Sequence, residues 1–258
     1  MDVAALQERS GWVVHRLAVT GSTNDVAARL AAEGAPARTV VLADRQTEGR
    51  GRAGRRFASP SGGLYASLLL AAHAEDLPGR VVALVAVAAA EAVEAATGFR
   101  AEIKWPNDVW LARKKVGGIL LESTDPDRPV VAGIGLNLHA VPRGLPPDVA
   151  PTVSSLEAVS GLAVERQVVL ESLLAAVDRW STARAEPGGA EALETAWRRR
   201  LALIGEDVTC HCAGQPLSGV LEDASLAEGL LIRDAVSGPV WRPAGHVQDL
   251  RPAGRTIS

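Results

Sequence analysis

Eleven residues between Thr47 and Phe57 concentrate four arginines and three glycines. They read T-E-G-R-G-R-A-G-R-R-F and separate two apolar stretches, 39–43 and 64–71, with the composition of strands. Glycine lets a backbone approach a ligand closely, and guanidinium groups supply fixed forks of donors that suit phosphate and carboxylate. This segment, the arginine loop, is predicted to close over a polyanion. Solvated loops and RNA-contacting segments also contain such runs, so the loop alone does not distinguish these three roles.

Lysine is rare in this chain and occurs in one place. The sequence has 24 arginines and only three lysines, which are Lys104, Lys114 and Lys115. Because arginine fills the other basic positions, lysine here is a candidate for work that needs a compact point charge on one oxygen. Chance clustering is the alternative.

The residues around these lysines predict a hairpin that carries a carboxylate between two amines. Residues 101–122 read A-E-I-K-W-P-N-D-V-W-L-A-R-K-K-V-G-G-I-L-L-E, with 113–115 expected at the hairpin tip. Asp108 follows a turn-prone asparagine and lies between Lys104 and Lys115 in sequence. A carboxylate able to hold Mg²⁺ between two cations, beside an arginine loop, suits the phosphates of a nucleotide.

Composition limits the classes of function. A chain of 258 residues with 47% hydrophobic residues can bury a large core, and its net charge of -3 does not favour nucleic acid or an anionic membrane. Cys210 and Cys212 are too close in sequence for a mutual disulfide and do not complete a zinc site. The start of the chain lacks the pattern of a secretory signal, and the apolar stretch 81–90 is too short to cross a bilayer. We expect a cytoplasmic protein without a membrane or nucleic-acid partner.

The order of apolar runs predicts an α+β fold with a mainly antiparallel mixed sheet flanked by helices, because strands occur as neighbours without regular helical crossovers. Besides the hairpin, strands are expected at 12–20, 39–43, 64–71 and 129–138, and helices at 25–33, 77–97, 165–183 and 189–201. From residue 205 onward, short β-like runs alternate with glycine turns. The expected domains are a catalytic domain over 1–203 and a small β-domain over 204–258.

Five stretches resemble, in order and spacing, the motifs of the biotin protein ligases, whose fold is similar to that of class II synthetases. They are G21-S-T-N24, Q46-T-E-G-R-G-R-A-G-R55, K104-W-P-N-D108, K115-V-G-G-I-L-L-E122 and G133-I-G-L-N137. The resemblance covers about residues 15–140, and the C-terminal fifty residues resemble the small SH3-like β-barrel of that family.

The resemblance implies an enzyme that activates biotin with ATP to biotinyl-5'-AMP and transfers it to a lysine of a biotin carboxyl carrier domain. It implies biotin and ATP as substrates, Mg²⁺ as the ion, and no tightly bound prosthetic group. The carrier domain of a biotin-dependent carboxylase would be the protein partner.

Position by position, the resemblance also assigns residues to roles. The catalytic residues would be Lys115, Arg50, Arg52 and Asp108, with Asp108 holding Mg²⁺ directly or through water. The biotin-binding residues would be Ser22, Thr23, Asn24, Gln46, Gly49, Arg50, Lys115, Gly117, Gly118, Gly133 and Gly135. The residues at ATP and the adenylate would be Arg50, Arg52, Arg55, Phe57, Lys104, Trp105, Asn107 and Asn137.

Two other functions and two departures qualify this assignment. A lipoate or octanoate ligase would need an apolar pocket, which the polar set of Ser22, Thr23, Asn24 and Gln46 disfavours, although three of these are also ordinary helix caps. An RNA-binding module is disfavoured by the net charge and by an aromatic content of 3%.

Phe57 stands where many relatives carry tryptophan. About ten residues precede the first expected strand, too few for a helix-turn-helix, so operator binding is not expected.

Overall fold

A computed structural model of the chain describes residues 2–71, 78–122, 129–147 and 149–254. The strands are β1 (Val13–Thr20), β2 (Thr39–Gln46), β3 (Leu64–Leu70), β4 (Ala101–Lys104), β5 (Asp108–Leu111), β6 (Lys114–Glu122), β7 (Val130–Leu136), β8 (Asp207–Cys212), β9 (Gln215–Ser225), β10 (Gly229–Asp234), β11 (Gly238–Arg242) and β12 (Val247–Pro252). The α-helices are α1 (Val3–Ser10), α2 (Thr23–Ala32), α3 (Pro78–Thr97), α4 (Leu156–Ser160), α5 (Arg166–Ala183) and α6 (Gly189–Arg198).

Seven strands form one mixed sheet in the order β1-β2-β3-β7-β6-β5-β4. The pair β1–β2 is parallel because α2 crosses between the two strands, and the other neighbouring pairs are antiparallel. The predicted α+β fold with a mainly antiparallel mixed sheet is confirmed. Sequence patterns did not predict α1 and α4, and Leu77, the expected start of α3, lies outside the described residues.

The tip of the β5–β6 hairpin differs from the sequence prediction. Ala112 and Arg113 have positive φ values of 47° and 63°, so these two residues make the turn. Lys114 and Lys115, expected at the tip, instead lie in β6. As a strand residue, Lys115 has a side-chain direction that is set by the pleat of the sheet.

Helix α3 forms the centre of the core. Its residues from Ala83 to Ala90 are at most 1% exposed, and Val93 is fully buried. A helix that is apolar on all sides must be covered on all sides, and α3 packs against the sheet, α5 and α6. The many alanines let these neighbours approach closely. None of the described helices has the length and apolar composition that a membrane crossing requires.

Helix α2 covers the opposite face of the sheet. Ala27 and Ala31 pack on Val41, Leu69 and Val131, which come from the three strands β2, β3 and β7. This packing fixes the start of α2 above the middle of the sheet, where the Asn24 side chain contacts Ser67 of β3 and Gly133 of β7.

The C-terminal strands form a second, antiparallel sheet in the order β11-β10-β9-β8-β12. Within the described residues, the edge strands β11 and β12 pair only with β10 and β8, so this small C-terminal unit is an antiparallel sheet in which no pairing joins the two edges. Arg113 of the first sheet and Glu206 beside the second join them with two hydrogen bonds of 2.8 and 2.7 Å. The second sheet is thereby fixed against the β5–β6 hairpin.

The central position of α3 leads to a stability prediction. Leu84→Ala, at a site that is 1% exposed, should lower the free energy of unfolding by about 2–5 kcal/mol, because it leaves a cavity in the core. The matched change Leu162→Ala, at a site that is 49% exposed, should change it by less than about 0.5 kcal/mol. Urea unfolding followed by tryptophan fluorescence measures both values. Equal losses for the two variants would contradict the placement of α3.

Candidate active site

One cleft of about 710 Å³ opens beside the start of α2, between the arginine loop, the β4–β5–β6 hairpin and β12. Most residues that the sequence singled out line it. They are Ser22, Thr23, Asn24, Gln46, Arg50, Arg52, Arg55, Phe57, Lys104, Trp105, Asn107, Asp108, Lys115, Gly118, Gly133 and Gly135. Residues from five separate stretches of the chain therefore meet at one cavity.

A buried hydrogen-bond network closes one end of this cleft at the start of α2. Ser22 is the N-cap, and its side chain accepts from the backbone N–H of Asn24. The Oε1 of Gln46 accepts from the N–H and the hydroxyl of Thr23, at 2.8 and 3.0 Å. The Nε2 of Gln46 donates to Ser59 at 2.9 Å. The amide of Gln46 is thereby held with its oxygen toward Thr23 and its NH₂ group toward Ser59, so this end presents oriented polar groups to a small polar ligand group.

The side chain of Asn24 is 4% exposed and held on both sides. Its Nδ2 donates to Oε2 of Glu122 at 2.7 Å, and its Oδ1 accepts from the hydroxyl of Ser67 at 2.6 Å. A Cβ at position 133 would overlap Oδ1 of Asn24, so only Gly133 leaves room for this arrangement.

The aromatic ring of Phe57 lies on the floor of the cleft. A Cβ at Gly135 would overlap this ring, while a Cβ at Gly118 would lie 3.6 Å from it, an ordinary contact. The ring also meets Tyr65 edge to face, with centroids 6.5 Å apart. Burial raises the pKa of Tyr65 to about 12, and its hydroxyl donates to the carbonyl of Pro60 at 2.7 Å.

The β4–β5–β6 hairpin brings two amines and one carboxylate to the other end of the cleft. The Nζ of Lys115 donates to Oδ1 of Asp108 at 2.6 Å. The amine of Lys104 has no hydrogen-bond acceptor among the described residues, and burial lowers its pKa although Asp108 opposes that shift. Asn107 is anchored by hydrogen bonds between its own groups and the backbone of Ile119. An ammonium poorly satisfied by protein is suited to an anionic ligand.

Two of the loop arginines are already paired with carboxylates. The guanidinium of Arg50 makes hydrogen bonds of 2.8 and 2.6 Å to Asp25 and a third, of 3.1 Å, to Oε2 of Glu122. The hydrogen bond from Arg50 holds the pKa of Asp25 below its usual value. Arg55 donates to Asp249 of β12 at 2.9 Å and lowers the pKa of that carboxyl. Arg52 has no ion-pair partner within the described chain and is free to meet a ligand.

Three predicted site residues do not line the cleft. Gly49 packs under Phe57, and Gly117 packs against Gly135 and Leu136, where added Cβ atoms would overlap backbone oxygens. Asn137 is 4% exposed and donates from Nδ2 to the carbonyl of Ser154 at 3.0 Å, so it fastens the chain after the sheet. Their positions are those of supporting residues behind the cleft wall.

Sequence reasoning missed several residues of this site. Asp25 directly follows one recognised motif and Glu122 is the last residue of another. A carboxylate beside an arginine loop was a signal that could have found both. Asp249 and the wall formed by 247–250 had no local signal, since β12 lies far from the motifs in sequence. Ser67 lies in a fully buried strand and reads as a core residue.

The donor set around Asp108 is compatible with Mg²⁺ bound together with a nucleotide. Only one oxygen of Asp108 is engaged by Lys115, and Mg²⁺ is usually held by one or two carboxylates plus substrate phosphates and water. Among the described residues, no group of three histidine, cysteine or acidic side chains could form an all-protein metal site.

Comparison with known proteins agrees with this geometry. Residues 17–138 match the model of the biotin/lipoate A/B protein ligase family. The bifunctional ligase/repressor BirA of Bacillus subtilis is 37% identical over 164 residues, covering 60% of this chain and 50% of that protein. The chain thus spans about half the length of that relative.

Two further proteins match along nearly their whole length. The biotin–[acetyl-CoA-carboxylase] ligase of Paracoccus denitrificans is 35% identical over 90% of this chain and 98% of its own. The biotin protein ligase of Aquifex aeolicus, solved in complex with biotin and ATP, superposes with a TM-score of 0.80 and 28% identity, covering 93% of this chain and 99% of its own. The chain therefore belongs to the biotin protein ligases, within the biotin/lipoate A/B protein ligase family.

Proposed function

We propose that the protein is an ATP-dependent biotin–[acetyl-CoA-carboxylase] ligase. It activates biotin as biotinyl-5'-AMP and then transfers biotin to a lysine of a biotin carboxyl carrier domain. The observation that carries this proposal is a single cleft with a polar recognition end at α2 and a cationic end at the β4–β5–β6 hairpin. A ligand with a polar ring and an acid group fits such a cleft when ATP lies beside it.

The first step joins two anions, and electrostatic repulsion is its main barrier. A carboxylate oxygen of biotin attacks the α-phosphorus of ATP, the bond to the β-phosphate oxygen breaks, and pyrophosphate leaves. Lys115, a member of β6 with Nζ held by Asp108, would bridge the biotin carboxylate and the α-phosphate. Arg52 and Lys104 would neutralise the phosphates. Catalysis then comes from positioning and from fixed positive charge.

The ion and the nucleotide would be held on the hairpin side. Asp108 would hold Mg²⁺ directly or through water, and the ion would neutralise phosphate charge when ATP is bound. Trp105, Asn107 and Arg55 would surround the nucleotide, since they line the same wall. Asn137 would act behind this wall by holding the segment at Ser154.

The second step needs a neutral acceptor amine beside the mixed anhydride. The amine nitrogen attacks the carbonyl carbon of biotinyl-5'-AMP, AMP leaves, and the nitrogen gives up a proton. In the proposed division of the chain, residues 1–203 bind biotin and ATP, and the unit at 204–258 adds the wall of β12. A cytoplasmic location would bring the enzyme to its acceptor carboxylase.

The polar end of the cleft favours biotin over lipoate. Thr23, Asn24 and Gln46 present fixed donors and acceptors that suit the ureido ring of biotin, while the tail of lipoate offers no such groups. Biotin-dependent exchange of labelled pyrophosphate into ATP should therefore occur, with little exchange when lipoate replaces biotin. Equal exchange with lipoate, or no exchange with biotin, would refute the proposal.

The neighbouring lysines of β6 provide a matched test of the catalytic assignment. Lys115→Ala should lower the rate of adenylate formation by about 10²–10³, because it removes one charged donor at the reacting groups. Lys114→Ala removes an amine whose one hydrogen bond within the described residues is to the carbonyl of Pro151, and should leave the rate nearly unchanged. Single-turnover release of pyrophosphate measures both rates, and equal losses would refute the role of Lys115.

The lowered pKa of Lys104 predicts a pH dependence of ATP binding. Burial lowers this pKa below the ordinary 10.5, so the amine loses its charge at lower pH than an ordinary lysine. As pH rises through that lowered pKa, the dissociation constant for ATP should increase by roughly tenfold, the value of one charge-assisted hydrogen bond. Calorimetric titration across pH measures this, and Lys104→Arg, which stays charged, should remove the increase. The same increase in Lys104→Arg would contradict the assignment to Lys104.

A further inference from the structure

Glu122, the last residue of β6, contacts both the recognition end of the cleft and the arginine loop. A single oxygen, Oε2, accepts from Nδ2 of Asn24 at 2.7 Å and from Nη2 of Arg50 at 3.1 Å. The other oxygen, Oε1, lies 3.3 Å from the same Nη2. We propose that Glu122 is a positioning residue that fixes the amide of Asn24 and fastens the arginine loop beside it, so that biotin recognition and loop closure depend on one carboxylate.

The first part of this proposal follows from the chemistry of an amide. An asparagine side chain presents a donor on one side and an acceptor on the other, and its neighbours decide which way it faces. An ionised carboxylate only accepts, so Glu122 forces the NH₂ group of Asn24 toward itself. Ser67 then donates to Oδ1, on the side of Gly133. Without Glu122, the Asn24 amide would no longer be held in this orientation, and a ligand would lose the fixed pattern of donor and acceptor that it meets here.

The second part follows from the partners of Arg50. Its guanidinium is bidentate to Asp25, the residue next to Asn24 on α2, and also contacts Glu122. With two carboxylates around it, Arg50 carries no surplus positive charge for the phosphates of ATP. The sequence resemblance placed Arg50 among the catalytic groups, whereas this geometry makes it the anchor of the loop. Arg52, which has no carboxylate partner in the described chain, is left to face the nucleotide.

The assignment of biotin to this end rests on the proposed function, so the test separates the two. The variants are Glu122→Gln, which keeps size and removes charge, and Glu122→Ala. The control is Glu222→Gln, which removes the charge of a half-buried partner of Arg233 in the second sheet. Thermal unfolding of each variant reports whether the fold is intact.

The first measurement is independent of any ligand. Trypsin cleaves after arginine, and the arginine loop offers four such sites. In the ligand-free protein, Glu122→Gln should speed cleavage within 47–57 by several-fold, because Arg50 loses one of its two carboxylate partners, while the control should cleave like the wild type. Unchanged cleavage in Glu122→Gln would overturn the anchoring of the loop.

The second measurement is calorimetric titration with biotin in a double-mutant cycle. Glu122→Gln and Glu122→Ala should each weaken biotin binding by about tenfold or more, the value of a hydrogen bond to a charged group. In an Asn24→Ala background, Glu122→Ala should add less than about twofold, because a residue that acts through Asn24 has nothing left to orient. The proposal would be overturned if Glu122→Ala weakened biotin binding equally in both backgrounds, or if it did not weaken binding in the wild-type background. If the wild-type protein failed to bind biotin, the proposed function would be refuted instead. The trypsin result would still test whether Glu122 anchors the arginine loop.

Discussion

The structure depends on holding cations in a cleft before any anionic ligand arrives. Unpaired cations in a confined space repel one another and lose hydration. Here three carboxylates from distant parts of the chain offset that cost: Asp108 pairs with Lys115, Asp25 with Arg50, and Asp249 with Arg55. These pairs also set where each charge lies, so a ligand meets an ordered array. The overall charge of -3 is consistent with a cationic cleft in an otherwise acidic chain.

The two ends of the cleft are built by different physical means. At the recognition end, a network around Thr23 and Gln46 at the start of α2 holds donors and acceptors in fixed positions. The packing of α2 on the sheet supplies the rigidity, so capping residues serve the helix and the ligand together. At the cationic end, hairpin strands carry the charged groups. Lys104 and Lys115 lie on strands fixed by ladder hydrogen bonds and do not depend on a loop for their placement.

Local patterns predicted the elements that carry the site but not the contacts between distant ones. The β4–β5–β6 hairpin and the capped helix α2 were predicted because turn residues and alternation are local signals. The predicted position of the hairpin tip was wrong because Ala112 and Arg113 have positive φ values, and neither residue is the glycine or asparagine that usually indicates such a turn. The salt bridge of Arg55 with Asp249 spans 194 positions, and no periodicity reveals such a pair.

In the proposed complex, one cleft aligns the acid group of biotin with the α-phosphate of ATP through Lys115. A crystal structure of the protein with biotin and a non-hydrolysable ATP analogue tests this directly. We expect the ring of biotin to lie at Thr23, Asn24 and Gln46. Its carboxylate and the α-phosphate should both lie within hydrogen-bond distance of Nζ of Lys115. A complex in which Nζ stays on Asp108 and touches neither ligand, or in which biotin binds outside this cleft, would contradict it.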